Sequence, residues 1–241
     1  MSRTIPILSI LVFLASPWGP VSVFSSDPPS PAKEFPDWIP AGTVSPAVAR
    51  RAVEMQARFQ SRNSQMQQSA LTQISQDIDR YGRTEMRIAA VPLVIELLNQ
   101  DYRILQFPRD YRIDTTIRLS ALELLGRLGG TDARSQLRYS LRNDTDGVLR
   151  ARAAQLLADT TGDDPDGDLQ AVSTALLATV GARRDEAEVM RLLNAAQTLT
   201  YRTWNPENPD LLRALILIYD GPYSRRLRNS AMVLLEELSE R

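Results

Sequence analysis

The stretch DYRILQFPRDYRI, residues 101 to 113, concentrates the side chains best suited to recognition in this sequence. Tyr102, Phe107 and Tyr111 alternate with Arg103, Arg109 and Arg112. Rigid rings interleaved with guanidinium forks are the mixture enriched at the energetic centres of protein interfaces. These six residues are the expected partner-binding site. In the competing reading, the rings tuck against the rest of the chain and the arginines pair with Asp101 and Asp110.

Two other stretches carry reactive or ligating groups. GDDPDGD, residues 162 to 168, brings together Asp163, Asp164, Asp166 and Asp168, and oxygen ligands at alternate positions suit calcium. The full calcium loop is absent, because Leu169 stands where its glycine belongs and Ala175 where its bidentate glutamate belongs. A solvated turn in which Asp168 caps a helix is the expectation, with no metal and no cofactor. YRTWNPENP, residues 201 to 209, is an aromatic turn in which Trp204 is expected to plug a helix end.

What is missing narrows the chemistry further. The chain has no cysteine and no histidine, which removes thiolate nucleophiles, disulfides, imidazole acid-base work and most transition-metal sites. An enzyme would have to use carboxylates, such as Glu85 or Asp110 with a tyrosine, in glycan or ester chemistry. No carboxylate pair can be placed on facing elements from sequence alone, so the expectation is no enzyme. A formal net charge of −1 lacks the basic excess that phosphate neutralisation needs, so no nucleic acid is expected as a partner.

The elements that must position these residues read as helices. Only 6% of the chain is aromatic, and its apolar residues are chiefly alanine and leucine, a balance that favours helix over strand. The first residues, MSRTIPILSILVFLASPWGPVSVFSS, have Arg3, an apolar run from Ile5 to Ala15, and small residues at Val23 and Ser25. That is a secretory layout over 1–25, with cleavage expected near Ser25 and an exported product, periplasmic or extracellular. The run is shorter than the roughly 20 residues that cross a bilayer, so no integral span is expected in the mature chain. Residues 26–45 form a proline-rich linker, with Trp38 and Ile39 as the residues able to dock on the first helices.

From 46 to 81, Val48, Met55, Phe59, Met66, Ala70, Ile74 and Ile78 recur at helical spacing. One continuous helix here would suit coiled-coil pairing and a structural homo-oligomer. Two helices broken near SRNS, residues 61 to 64, would cap a domain running from 46 to 241, and this is the expected arrangement. Further helices are expected at about 85–100, 114–128, 132–142, 146–160, 168–181, 185–203, 208–220 and 223–239.

Three of these share one formula, R-x-x-A-x-x-L-L. It reads Arg118, Ala121, Leu124 and Leu125; then Arg150, Ala153, Leu156 and Leu157; then Arg228, Ala231, Leu234 and Leu235. The offsets keep alanine and leucines in one apolar sector, and the alanine lets a facing helix come close. The arginine sits on the first turn, within reach of Asp114 or Asp146 four residues earlier. Separations of 32 and 78 residues, the latter twice 39, imply a helix-hairpin period with a degenerate copy at 185–203.

RNDTDGVLRARAAQLLA, residues 142 to 158, resembles the turn and second helix of HEAT-type repeats, including the variant in phycobilisome-lyase-like proteins. AAVPLVIELLNQD, residues 89 to 101, is similar to the first helix of such a repeat. The resemblance runs over about 67–241 and implies an all-α chain built as a short right-handed α-solenoid of antiparallel helix pairs. It supplies no catalytic residues. It implies a surface that binds other macromolecules; with the secretory layout of 1–25, the expectation is a non-catalytic scaffold that holds a protein or peptide partner in the cell envelope on a solenoid surface.

Overall fold

The computed structural model describes residues 36–241 apart from 62, 105–113, 161, 183–184, 204–207 and 241, and only the backbone of 101–104. The described residues form ten α-helices and no strand. These are α1 (Pro46–Gln60), α2 (Ser64–Tyr81), α3 (Arg83–Ile104), α4 (Thr115–Leu128) and α5 (Thr131–Asn143), followed by α6 (Gly147–Asp159), α7 (Pro165–Gly181), α8 (Glu186–Thr203), α9 (Pro209–Asp220) and α10 (Arg225–Ser239).

Local chemistry sets the boundaries. Asn63, Asp114, Asp146, Asp164, Asn208 and Ser224 each accept a backbone N–H from the first turn of the helix they precede. Such caps contribute typically about 1 kcal/mol each. Pro46, Pro165 and Pro209 sit at helix starts, where a missing N–H costs nothing. Between α4 and α5 the chain turns through Gly129 and Gly130, at φ of 63° and 90° with extended ψ, a region that side chains exclude. The Arg83 and Arg87 side chains of α3 lie against these two glycines, and Arg83 Nε donates to the Leu128 carbonyl at 3.0 Å. α3 continues through Pro92, which has no N–H to give the ladder; buried Val91, Leu93 and Val94 hold the helix together there.

Close packing joins helices one or two places apart in the chain. α1, α3, α5, α7 and α9 touch in that order, as do α2, α4, α6, α8 and α10, and consecutive helices from α1 to α8, with α9 and α10, bridge the two rows. The repeated formula falls on α4, α6 and α10, all in the second row, and 185–203 is the α8 slot of that row. Its alanines and leucines are buried, except for the half-buried Leu235. Gly126 of α4 lies so near Leu156 of α6 that a Cβ would come within 2.7 Å of its Cδ2. Full burial of one leucine is worth roughly 1.5–3 kcal/mol, so these ridges carry much of the stability.

The stripe over 46–81 divides between α1 and α2. Val48, Met55, Phe59, Ala70 and Ile74 are buried, Ile78 is half-buried and Met66 is 49% exposed. The chain leaves the helix at Ser61 and re-enters after the Asn63 cap. Within the proline-rich stretch, 36–45 belongs to the packed body. Ile39 and Val44 are buried, and Ser45 donates from N and Oγ to Glu85 of α3 at 3.1 and 2.8 Å.

Candidate functional site

Ion pairs link the second-row helices. Arg118 of α4 pairs with Asp144, on the turn before α6. Arg150 of α6 directs Nε and Nη2 to one oxygen of Glu188 on α8, at 2.8 and 2.6 Å, and Nη1 to the Asp144 carbonyl at 2.7 Å. All four side chains are buried. The expected pairing with Asp114 and Asp146 is therefore corrected. Those aspartates cap α4 and α6 through Thr116 N and Val148 N, while the arginines reach forward to the next helix pair. The degenerate α8 slot carries the acceptor, Glu188, in place of an arginine. Gly147 makes room for it, since a Cβ there would lie 2.5 Å from Glu188 Oε2.

Two aspartates of GDDPDGD, Asp164 and Asp168, also have arginine partners. Asp168 is fully buried and receives Arg134 of α5 and, at 2.6 Å, Arg138 Nε. Asp164, not Asp168, caps α7, and it takes Arg138 Nη2 at 2.9 Å. The turn is solvated as expected, with Asp163, Asp164 and Asp166 exposed, but its capping residue is Asp164, and the expected cap Asp168 is instead buried between two arginines. Burial, with Arg138 and Arg202 nearby, holds Arg134 below the usual arginine range. The Gly167 N–H and the Arg138 guanidinium hold Asp164 below the usual carboxylate range.

A recess lies beside α2. It is a groove of about 620 Å³, walled by Gln65, Gln68, Ser69, Thr72, Gln73 and Gln76 of α2 and closed by Asp114, Thr116 and Ile117 at the start of α4. Along α2 these residues fall at i, i+3, i+4, i+7, i+8 and i+11, one helical face about 16 Å long at 1.5 Å per residue. The groove adjoins a smaller recess that shares Gln68 and Thr72 and reaches Ser120 and Arg127 of α4. Gln68 Nε2 donates to Ser120 Oγ at 3.3 Å, while its Oε1 is buried without a donor. A buried acceptor left unpaired costs about 1–3 kcal/mol.

Of the sequence-predicted binding residues, Phe107, Arg109, Tyr111 and Arg112 lie outside the described residues. So do the side chains of Tyr102 and Arg103, whose backbone forms the last turn of α3. Asp110 and Trp204 also lie outside them. The stretch 101–113 is followed at once by Asp114, which lines the groove. Glu85, the other carboxylate considered for catalysis, holds Ser45. Sequence reasoning used the apolar stripe of α2 and passed over its opposite face; the signal was SQMQQSALTQISQ, with glutamines at 65, 68, 73 and 76.

Comparison of the chain with protein-family models, curated proteins and solved structures gives no match. Among the described residues no helix is long and apolar enough to cross a membrane.

Proposed function

We propose that this chain is an exported, non-catalytic scaffold, a short right-handed α-solenoid of HEAT-like helix pairs that holds an extended peptide segment of a protein partner along α2. The observation that carries this reading is the α2 groove, lined along one helix face by Gln65, Gln68, Gln73 and Gln76 with Ser69 and Thr72. Amides and hydroxyls both donate and accept, which matches a peptide backbone offering N–H and C=O in alternation. At about 3.3 Å per residue, a face of this length accommodates roughly five residues of extended chain.

The remaining parts of the reading have their own support. Contacts confined to helices one or two places apart suit a solenoid, in which each pair leans on its neighbours and leaves long surfaces for a partner. The secretory layout of 1–25 supports export. The partner-binding residues proposed at 101–113, Tyr102, Arg103, Phe107, Arg109, Tyr111 and Arg112, precede Asp114 in the sequence. Absence of catalysis fits the engagement of Glu85, Asp144, Asp168 and Glu188 by arginines or by Ser45.

Selection of displayed random peptides on the full chain tests the proposal, with Gln68→Leu/Gln73→Leu as the counter-target. The expected result is peptides that bind the native chain and lose at least about tenfold in affinity, or about 1.4 kcal/mol, on the double variant. Peptides that bind both equally well, or a selection that enriches none, would overturn it.

A further inference from the structure

We infer that two copies of this chain associate through α10, packed antiparallel about a two-fold axis between Met232 and Val233. The face concerned is the one that other helices of the same row use against the next pair. On the shared formula, Asn229, Met232 and Glu236 hold the places of Ala151, Ala154 and Ala158 on α6 and of Leu119, Leu122 and Gly126 on α4. The three α6 alanines are buried, and Gly126 is the residue of α4 that meets Leu156 of α6. On α10 the same face is open among the described residues: Met232 is 37% exposed, with Asn229 and Glu236 exposed beside it, and Val233, 43% exposed, borders it at the place of the exposed Gln155 of α6. α9, packed alongside, leaves Ile216 and Leu217 about half exposed.

The charges identify the occupant. A helix favours acids at its N-terminus and bases at its C-terminus. α10 has the reverse, with Arg225, Arg226 and Arg228 in its first turns and Glu236, Glu237 and Glu240 at its end, and it has no acid in the first turn and no base in the last. Among the described residues Arg225, Arg226, Glu236 and Glu240 form no ion pair. Arg225, Asn229, Met232 and Glu236 follow one another at steps of four, three and four, along one side of the helix.

That side is complementary to itself when reversed. About the Met232–Val233 midpoint, Arg225 stands opposite Glu240 of the second copy, Asn229 opposite its Glu236, and Met232 opposite its Val233. Each basic N-terminus meets an acidic C-terminus, so both unfavourable ends of α10 gain a counter-charge, with an apolar centre between them. A further helix pair of the HEAT-like kind would instead bury Asn229 and Glu236 where α6 has alanines, at the cost of a desolvated carboxylate. A contact using the same patch on both copies closes as a dimer.

Sedimentation equilibrium of the full chain at low ionic strength tests this directly. The native chain is expected to give the mass of two chains. The variant Arg225→Glu/Arg226→Glu and the variant Glu236→Arg/Glu240→Arg are each expected to give the mass of one, with native helicity by circular dichroism. Mixed together, they are expected to recover the mass of two. A native chain that stays at one mass throughout the concentration range overturns the inference, as does a dimer that survives either reversal, or helical variants that fail to pair when mixed.

Discussion

Arg150 of α6 holds Glu188 of α8 through Nε and Nη2 on a single carboxylate oxygen, at 2.8 and 2.6 Å, with both side chains buried. Removing one member leaves the other charge desolvated and unpaired, so Arg150→Leu is expected to lower unfolding free energy by about 3–5 kcal/mol. Replacing both, as Arg150→Met/Glu188→Leu, should bring stability back to within about 1 kcal/mol of the native chain or above it. Urea titrations of the three proteins measure this. A single variant as stable as the native chain would show that the pair does not couple the two helices.

The turn at Gly130 makes a backbone prediction. At φ of 90° and ψ of 168°, with Arg87 Cδ 2.8 Å from where a Cβ would stand, alanine is excluded on conformational and steric grounds. Gly130→Ala should cost about 1–3 kcal/mol, read as a lower urea midpoint at unchanged slope. Gly181, near the end of α7, has an open Cβ position and no positive φ, so Gly181→Ala should cost nothing and serves as the control.

Asp164 makes a pH prediction. Its carboxyl lies below the ordinary aspartate range in the folded chain, chiefly through the Gly167 N–H and then Arg138, so the folded state binds its proton more weakly than the unfolded state. The stabilisation is therefore fully present above the unfolded aspartate pKa, and it fades as pH falls through that value toward the folded one. Asp164→Asn keeps a capping oxygen and removes the charge. The native chain should exceed this variant in stability at neutral pH, and the gap should close as acidity passes about pH 4 and below. Because the side chain is 59% exposed, the gap should be small and should shrink with added salt. A gap that widens on acidification would reverse the assigned sign.

Helix content and order are largely legible in the sequence because periodicity and caps are local signals. The expected helix at 146–160 appears as α6, bounded by Asp146 and Thr160, and the expected break near SRNS falls where Asn63 caps α2. The expected start of α7 at Asp168 lies three residues past its true first residue, because Asp164 caps the helix and Asp168 is drawn into the core by Arg134 and Arg138. That error has the same origin as the mistaken partners of Arg118 and Arg150. A first-turn arginine and a nearby aspartate look paired along the chain, but the partner comes from an element 26 or 38 residues away that only packing brings close. The groove escapes a sequence reading for a related reason: hydrophobic patterning marks the buried face of α2, and a run of glutamines on the other face reads as ordinary solvated surface until α4 closes one end.

The central claim is that the amide face of α2 receives a peptide backbone. It is tested most directly by the side-chain amide NMR signals of the ¹⁵N-labelled chain, titrated with a selected peptide. The account predicts that the Gln68, Gln73 and Gln76 NH₂ resonances shift in step with binding and that those of Gln155 and Gln197, on α6 and α8, stay in place. Saturable binding that leaves the α2 amides unmoved would contradict it.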